Sequence, residues 1–244
     1  MKQLLTGNEA IARGAHEAGI TLAVGYPGTP STEILENISK NKEIYSEWAP
    51  NEKVALEVGI GASIFGARAL VTMKHVGVNV AADPLMTFAY TGVNGGLILV
   101  AADDPGMHSS QNEQDNRYFA KFAKVPVLEP SDSQEAKDMI LIGMEISESY
   151  DIPVMMRVTT RVCHSQSIVT LGDIKKQEIR KYEKNPRKNL MVPGYARMRR
   201  VDLEQRLQKL REYSENTPLN SIEWRDKSVG VITSGISYQY IKEV

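Results

Sequence analysis

The chain is short of the residues that build disulfides, polyanion-binding surfaces and membrane spans. Cys163 is the one cysteine among 244 residues, which excludes an internal disulfide and a metal site made of several cysteines. The 29 basic residues nearly balance the 30 acidic ones, so no charge excess favours nucleic acid or an anionic membrane. No apolar run reaches the roughly 20 residues of a membrane span, and no secretory leader is recognisable. We therefore predict a cytoplasmic protein without nucleic-acid or membrane partners.

Two phosphate-binding motifs are also missing. Neither a G-x-G-x-x-G sequence after the first predicted strand nor a P-loop occurs, which argues against a nucleotide-binding doubly wound domain, although that class stays an alternative. The composition, 42% hydrophobic and 24% charged residues, is that of an ordinary globular protein.

Short apolar runs alternate with amphipathic helical patterns along the first two thirds of the chain. This alternation predicts an α/β fold, a parallel sheet with helices on both faces. The predicted strands are residues 21–25, 43–48, 69–73, 96–102, 125–128 and 152–159. Parallel sheets bind ligands at the carboxyl ends of their strands. The polar loops expected there are Tyr26–Pro30, Lys74–Asn79 and Asp103–Arg117.

The composition and periodicity of the sequence change twice along the chain, which predicts three parts. Residues 1–165 form the sheet domain, and residues 166–227 form a linker with one amphipathic helix over 198–213. Residues 228–244 read as a strand, a Ser-Gly turn and the start of a helix without a stop signal. We interpret this last stretch as the opening of a second α/β domain in a longer polypeptide.

Glu52 is the candidate catalytic residue, at the start of a helix in which small residues recur at helical spacing. The helix macrodipole favours a glutamate there by about 0.3–1 kcal/mol, which is by itself a sufficient structural explanation. A functional role is favoured by the spacing of Glu52 to Gly61 and Gly66, ahead of a strand and a polar loop. Glu57 is the rival carboxylate. It falls on the predicted packing side and is expected to be a structural or interface acid.

The remaining candidates lie in the three loops. Thr29 is predicted to cap a helix whose first residue is Pro30, which would make this turn an anion site. The Lys74-His75 pair is either solvated or functional. The loop Asp103–Arg117 is too long for a plain connector, and His108 and Arg117 offer a donor and a cation for an anionic substrate. A solvated surface loop is the alternative.

The spacing around Glu52 resembles the pyrimidine-binding domain of thiamine-diphosphate enzymes. With it, the segments YPGTPSTE, WAPNEKVALE, KHVGVNVAADPL and DDPGMHSSQNEQDNR closely resemble the 2-oxoacid:ferredoxin oxidoreductases over about residues 4–161. The resemblance implies that Glu52 hydrogen-bonds the aminopyrimidine and activates the cofactor. It also implies that Thr29 lies against the carboxylate of the 2-oxoacid, with His108 and Arg117 as further substrate ligands. The implied cofactor-binding residues besides Glu52 are Tyr26, Gly28, Lys74, His75, Gly77 and Asn79.

What the resemblance implies for the whole enzyme reaches beyond this chain. The chain would be the N-terminal part of an alpha subunit, and residues 228–244 the start of a transketolase-C-like domain. With a beta subunit it would oxidise indolepyruvate or another aryl 2-oxoacid to CO2 and an acyl-CoA, using coenzyme A and passing electrons to ferredoxin. A homodimer of heterodimers is expected. The alternatives are pyruvate or another 2-oxoacid as substrate, and a non-catalytic assembly module of the same fold.

Two motifs of that family are missing here. The Gly-Asp-Gly…Asn motif for the diphosphate and Mg²⁺ has one near match, Gly172-Asp173-Ile174, which lacks the asparagine and is discarded. The cysteine clusters that hold [4Fe-4S] centres are absent as well. We therefore expect no metal ligands in this chain and place the Mg²⁺, diphosphate and iron–sulfur sites outside it.

Overall fold

The computed structural model describes residues 1–224 and 227–244. Its strands are β1 Lys2–Thr6, β2 Leu22–Gly25, β3 Tyr45–Trp48, β4 Ala69–Lys74, β5 Leu97–Asp103, β6 Val127–Leu128, β7 Val154–Thr159 and β8 Gln166–Thr170. Its helices are α1 Gly7–Glu17, α2 Thr32–Ile38, α3 Glu52–Ile64, α4 His75–Val80, α5 Ala82–Thr91, α6 Arg117–Ala123, α7 Ser133–Tyr150, α8 Thr160–His164, α9 Pro186–Asn189, α10 Pro193–Asn216 and α11 Ile236–Glu243.

A six-stranded parallel sheet in the order β3-β2-β4-β5-β7-β6 forms the centre. Strands β5 and β7 are buried along their whole length, as continuous apolar strands covered on both faces are. Helices α1, α2 and α7 pack together against the sheet, and α3 and α5 pack together elsewhere on it. The predicted fold class, a parallel sheet with helices on both faces, is confirmed.

Side-chain caps mark the starts of two of the longer helices. The Thr6 hydroxyl caps α1 by accepting from the Glu9 amide at 3.2 Å, and the Glu9 carboxylate accepts from the Thr6 amide at 2.8 Å. The Asp132 carboxylate caps α7 by accepting from the Glu135 amide at 2.9 Å. These reciprocal bonds satisfy amides that a helix leaves unpaired at its first turn.

Three local predictions are wrong. The helix expected to start at Pro30 starts at Thr32, and the Thr29–Pro30 peptide bond is cis. The segment Lys74–Asn79, expected as a loop, is largely the helix α4. The strand expected from Ser228 does not form within residues 227–244, where α11 follows Gly235.

The predicted linker is folded onto the sheet domain. Strand β8 pairs antiparallel with β1, a strand that sequence patterns missed because its partner lies more than 150 residues away. Further along, the Arg180 amide donates to the Gly66 carbonyl at 3.0 Å, and the Tyr182 ring stacks on Phe65 at 4.6 Å. The helix α10, Pro193–Asn216, includes the range 198–213 predicted to be helical. Residues 225–226 of the predicted linker lie outside the described residues, and the domain boundaries stay predictions.

Two arginines of α10 hydrogen-bond the backbone carbonyl groups at the carboxyl end of α5. Arg199 donates to the Tyr90 and Thr91 carbonyls at 3.0 and 2.9 Å, and Arg206 donates to the Tyr90 carbonyl at 3.0 Å. Cations at a helix carboxyl end are favoured by the macrodipole, so these contacts fix α10 to the sheet domain. Across the part of the chain that the structure describes, no helix has both the length and the apolarity needed to cross a membrane.

Candidate functional site

The strand order places a topological switch point between β2 and β4. From β2 the chain moves outward to β3, and from β3 it returns to β4 on the other side of β2. Open parallel sheets bind ligands in the crevice at such a point. The elements that begin there are the turn after β2, the N-terminus of α3 after β3, and α4 directly after β4.

Glu52 is the first residue of α3 and faces α4. The cap itself is Asn51, whose side chain accepts from the Val54 amide at 3.0 Å. The Glu52 side chain is half-buried. A Cβ built on Gly77 would lie 2.5 Å from Glu52 Cγ and 2.6 Å from its Oε1, so the missing side chain at Gly77 lets this carboxyl group rest against the backbone of α4.

The Glu52 carboxylate makes no hydrogen bond or ion pair with any residue in the described ranges. Its rival, Glu57, is exposed and lies 3.9 Å from Lys53 in an ion pair of the helix surface. The expectation that Glu57 faces the packing side is therefore wrong, since five residues along a helix rotate a side chain to a different face. Of the two acids, Glu52 is the one in the crevice.

The turn after β2 is closed by its own hydroxyl groups. Gly28 donates its N–H to the Thr32 hydroxyl at 2.8 Å, and the Ser31 hydroxyl donates to the Gly28 carbonyl at 2.8 Å. These two bonds explain why the helix begins after Pro30. Thr29 is half-buried and Tyr26 is exposed. The helix start at Thr32 removes the cap geometry expected at Thr29, and the role of Thr29 in binding an anion stays a prediction.

Lys74 and His75 connect the crevice to the loop after β5. A Cβ on Gly28 would lie 3.0 Å from the Lys74 Cβ, so the lysine stem lies beside the first turn. The Lys74 ammonium donates to the Ser109 carbonyl. His75 is fully buried, and its Nε2 lies 3.1 Å from the Asn112 carbonyl oxygen. Asn79, at the far end of α4, is exposed.

The loop 104–116 is fixed at its base by buried acids that received no role from the sequence. Asp104 accepts from the Ser109 amide at 2.7 Å and from the Ser110 and Thr160 hydroxyls at 2.6 and 2.7 Å. Burial alone would raise the pKa of Asp104, but these hydrogen bonds outweigh it and hold the pKa well below its usual range. Asp104 is therefore a charged anchor of the loop.

Asp103 is a second buried acid beside the loop. It accepts from Arg157 Nε at 2.7 Å and from the Asn116 side chain at 2.9 Å. Burial, as the largest influence, raises the pKa of Asp103, and the hydrogen bond and charge of Arg157 oppose it. The signal for this pair was in the sequence: Arg157 is the one charged residue of the apolar strand β7, and Asp103 ends the neighbouring strand.

Two predicted substrate ligands, His108 and Arg117, have no hydrogen bond or ion pair with Glu52 among the described residues. His108 is exposed at the tip of the loop. Arg117 donates to Asp115 at 2.7 Å and lies 3.6 Å from Glu129. The hydrogen bond with Asp115 raises the pKa of Arg117, and these two acids already balance its charge. The structure thus brings together Glu52, Gly77, Lys74, His75 and the turn around Gly28, and leaves the roles of His108 and Arg117 as predictions.

The fold and the site define a class of protein: a parallel α/β domain with an unpartnered carboxylate at its switch point. The sequence matches the family described as "Pyruvate flavodoxin/ferredoxin oxidoreductase, thiamine diP-bdg" over residues 13–217. The chain belongs to this family.

Relatives of known name agree with this assignment. The chain is 48% identical over 251 residues to indolepyruvate oxidoreductase subunit IorA of Archaeoglobus fulgidus, covering 99% of this chain and 40% of that protein. It is 49% identical over 253 residues to the subunit of the same name from Pyrococcus horikoshii, covering 99% of this chain and 39% of that protein. This chain thus spans about 40% of the length of these relatives.

More distant relatives share part of the sequence or only the fold. The 2-oxoglutarate synthase subunit KorA of Methanothermobacter thermautotrophicus is 28% identical over 181 residues, which cover 69% of this chain and 47% of that protein. A solved 2-oxoglutarate:ferredoxin oxidoreductase from Magnetococcus marinus superposes with a TM-score of 0.72 at 14% identity, over 99% of this chain and 50% of that chain. At that identity the likeness shows the fold alone.

Proposed function

We propose that this chain supplies the pyrimidine-binding half of a thiamine-diphosphate site in a 2-oxoacid:ferredoxin oxidoreductase. The observation that carries the proposal is the Glu52 carboxylate, half-buried at the switch point and without a protein partner in the described ranges. A carboxylate in this state fits a ligand that presents a hydrogen-bonding ring nitrogen. The thiamine-diphosphate description of the family gives the identity of that ring.

Each residue of the crevice has a proposed part in this site. Glu52 shares a proton with the ring nitrogen and so promotes proton transfer within the cofactor, a kind of catalysis worth roughly 10²–10⁴ in rate. Gly77 keeps the carboxyl group seated against α4. Tyr26, Gly28, Lys74, His75 and Asn79 are the other proposed cofactor-binding residues. Thiamine diphosphate, when bound, supplies the nucleophilic carbon and the electron sink for decarboxylation.

The substrate we propose is indolepyruvate or another aryl 2-oxoacid. The support is the higher identity to the indolepyruvate subunits, 48–49% over 99% of the chain, against 28% to the 2-oxoglutarate subunit. Thr29, His108 and Arg117 are the proposed substrate ligands. Turnover of indolepyruvate, pyruvate and 2-oxoglutarate by the complete complex tests this choice. A preference for either small substrate would reject the aryl assignment and leave the cofactor assignment in place.

The rest of the enzyme is proposed to lie in other parts of the complex. A beta subunit, coenzyme A and ferredoxin are the proposed partners, in a homodimer of heterodimers located in the cytoplasm. The diphosphate and Mg²⁺ ligands and the [4Fe-4S] clusters belong outside these 244 residues. The proposed products are CO2 and an acyl-CoA, with electrons delivered to ferredoxin.

The deciding experiment is Glu52→Gln in the complete complex, with Glu57→Gln as the matched control on the same helix. Glutamine keeps the size of the side chain and removes the carboxylate, so we expect turnover to fall roughly 10²–10⁴-fold. Glu57→Gln changes an exposed acid and should leave turnover unchanged. Wild-type turnover in Glu52→Gln would reject a catalytic role and favour the non-catalytic assembly module.

A further inference from the structure

The loop after β5 is held at its base by buried side chains, and one of them, Asp104, also accepts from Ser109 and Ser110 of the loop tip. Asp103, Asp104, Asn116 and Thr160 hydrogen-bond with one another around the base. The loop tip, residues 105–113, is exposed at every position except Ser110. Its internal bonds include the Gly106 amide to Glu113 at 2.9 Å. In a segment so exposed, contacts from outside the loop add to these bonds in keeping one position.

Those outside contacts come from two consecutive residues at the end of β4. Among the residues described, the hydrogen bonds that reach the tip from outside the loop 104–116 are Lys74 to the Ser109 carbonyl and His75 Nε2 to the Asn112 carbonyl, the latter at 3.1 Å. Both acceptors are backbone carbonyls. The contacts therefore fix the path of the loop and do not depend on the side chains at its tip.

The chemistry of His75 suits this role. Because a carbonyl only accepts, Nε2 must carry the proton, and it does so in one neutral tautomer and in the cation alike. His75 is fully buried, so little side-chain freedom remains to be lost when the bond forms. Lys74 adds a second connection, since its stem lies beside Gly28 while its ammonium group reaches Ser109. Lys74 thereby connects the turn after β2 to the loop after β5.

We propose that Lys74 and His75 are positioning residues that fasten the tip of the 105–113 loop at the mouth of the crevice, and that they act on substrate affinity through this loop. The effect on substrate rests on the proposed function; the fastening of the loop does not. This inference gives the pair a part separate from direct contact with the cofactor.

The test uses two independent variants in the complete complex. Lys74→Met keeps the stem beside Gly28 and removes the ammonium donor; Lys121→Met is its control, because Lys121 is exposed and makes no ion pair in the described ranges. His75→Phe keeps a buried ring without the donor. His75→Gln places an amide donor near the original Nε2 and serves as the rescue. Hydrogen exchange of the peptide covering residues 105–113 is measured for all four, together with KM, kcat and thiamine-diphosphate affinity.

Loss of one hydrogen bond of ordinary strength should speed exchange at the tip about 3- to 10-fold. We expect this in Lys74→Met and His75→Phe, with a comparable rise in KM for the 2-oxoacid; cofactor affinity is measured separately, because both residues are also proposed to bind the cofactor. His75→Gln and Lys121→Met should resemble wild type. Unchanged exchange in Lys74→Met would overturn the proposal, and so would a loss confined to cofactor affinity. If Glu52→Gln left turnover intact, the hydrogen-exchange result would still show whether Lys74 and His75 hold the loop tip in place.

Discussion

Replacing Gly77 by alanine tests how closely the position of the Glu52 carboxyl group is controlled. The new Cβ would lie 2.5 Å from Glu52 Cγ and 2.6 Å from Oε1. Carbon atoms in contact prefer about 3.5–4.0 Å, so the carboxyl-bearing end of Glu52 must move by roughly 1–1.5 Å. The atom that must move belongs to a half-buried side chain, and it therefore yields before the backbone does.

The expected result separates activity from stability. A displacement of about 1 Å at a reacting group can lower a rate about 10²-fold, and we expect turnover of the complete complex to fall by that order. Stability should change little, because alanine gains up to about 1 kcal/mol over glycine inside a helix and a strained glutamate rotamer costs about 0.5–1.5 kcal/mol. The two effects nearly cancel, which leaves the midpoint of thermal unfolding within a few degrees of wild type.

The assay pairs 2-oxoacid turnover with thermal unfolding and uses Gly61→Ala as the matched control. Gly61 lies on α3, the helix that Glu52 begins, and a Cβ there would meet nothing within 4 Å. This control should keep full turnover and equal or higher stability. Turnover of Gly77→Ala within about three-fold of wild type, at an unchanged unfolding midpoint, would refute the reasoning, since the displaced carboxyl would then be unimportant.

Three further predictions concern stability. Arg157→Leu removes the cation 2.7 Å from fully buried Asp103 and should lower the free energy of unfolding by about 3–5 kcal/mol; a loss below about 1 kcal/mol in denaturant titrations would contradict this. The pKa of Glu148 lies below its ordinary 4.5, because hydrogen bonds and charge from Arg68 outweigh the opposing effect of burial. The stabilising contribution of Glu148 is therefore present above pH 4.5 and lost as the pH falls through the lower pKa of the folded state. In Arg68→Met, the free energies of unfolding measured with urea at pH 7 and at about pH 4 should differ by less than in the wild type. An equal difference in both proteins would contradict this prediction. Gly66→Ala places a Cβ 2.0 Å from a backbone oxygen at φ +94° and should cost at least about 1–3 kcal/mol; an unchanged unfolding midpoint would rule this out.

Features that depend on neighbouring residues were predictable from the sequence. The capping box of Thr6 and Glu9, the cap at Asp132 and the alternation of strands and helices are local patterns, and each is present in the structure. The rule that parallel strands gather their following loops at one edge predicted that the crevice segments lie close together; the contact of Glu52 with Gly77 was found only in the structure.

Features that depend on distant residues were not predictable in the same way. Strand β1 needs β8, which lies in a segment without helical or strand periodicity of its own. Lys74–Asn79 looked like a loop because glycine and β-branched residues are weak helix formers, yet packing of α4 against α3 and β5 overrides that preference. The pairing of Asp103 with Arg157 joins residues 54 apart along the chain. The sequence alone shows only that a charged residue lies in an apolar strand, and it does not identify the partner of that residue.

The structural explanation of Glu52 as a helix cap is weakened by the residue before it. Asn51 already serves the Val54 amide at 3.0 Å, so Glu52 is not needed for capping and retains only the macrodipole effect of about 0.3–1 kcal/mol. The fully buried acids among the described residues all have protein partners: Glu17 lies 2.9 Å from Lys137, Asp103 lies 2.7 Å from Arg157, and Asp104 accepts three hydrogen bonds. Partial burial of an acid without such a partner opposes folding, and folds retain such groups at sites of function. Among the described residues Glu52 has no protein partner, and this supports the proposal that a ligand binds its carboxylate.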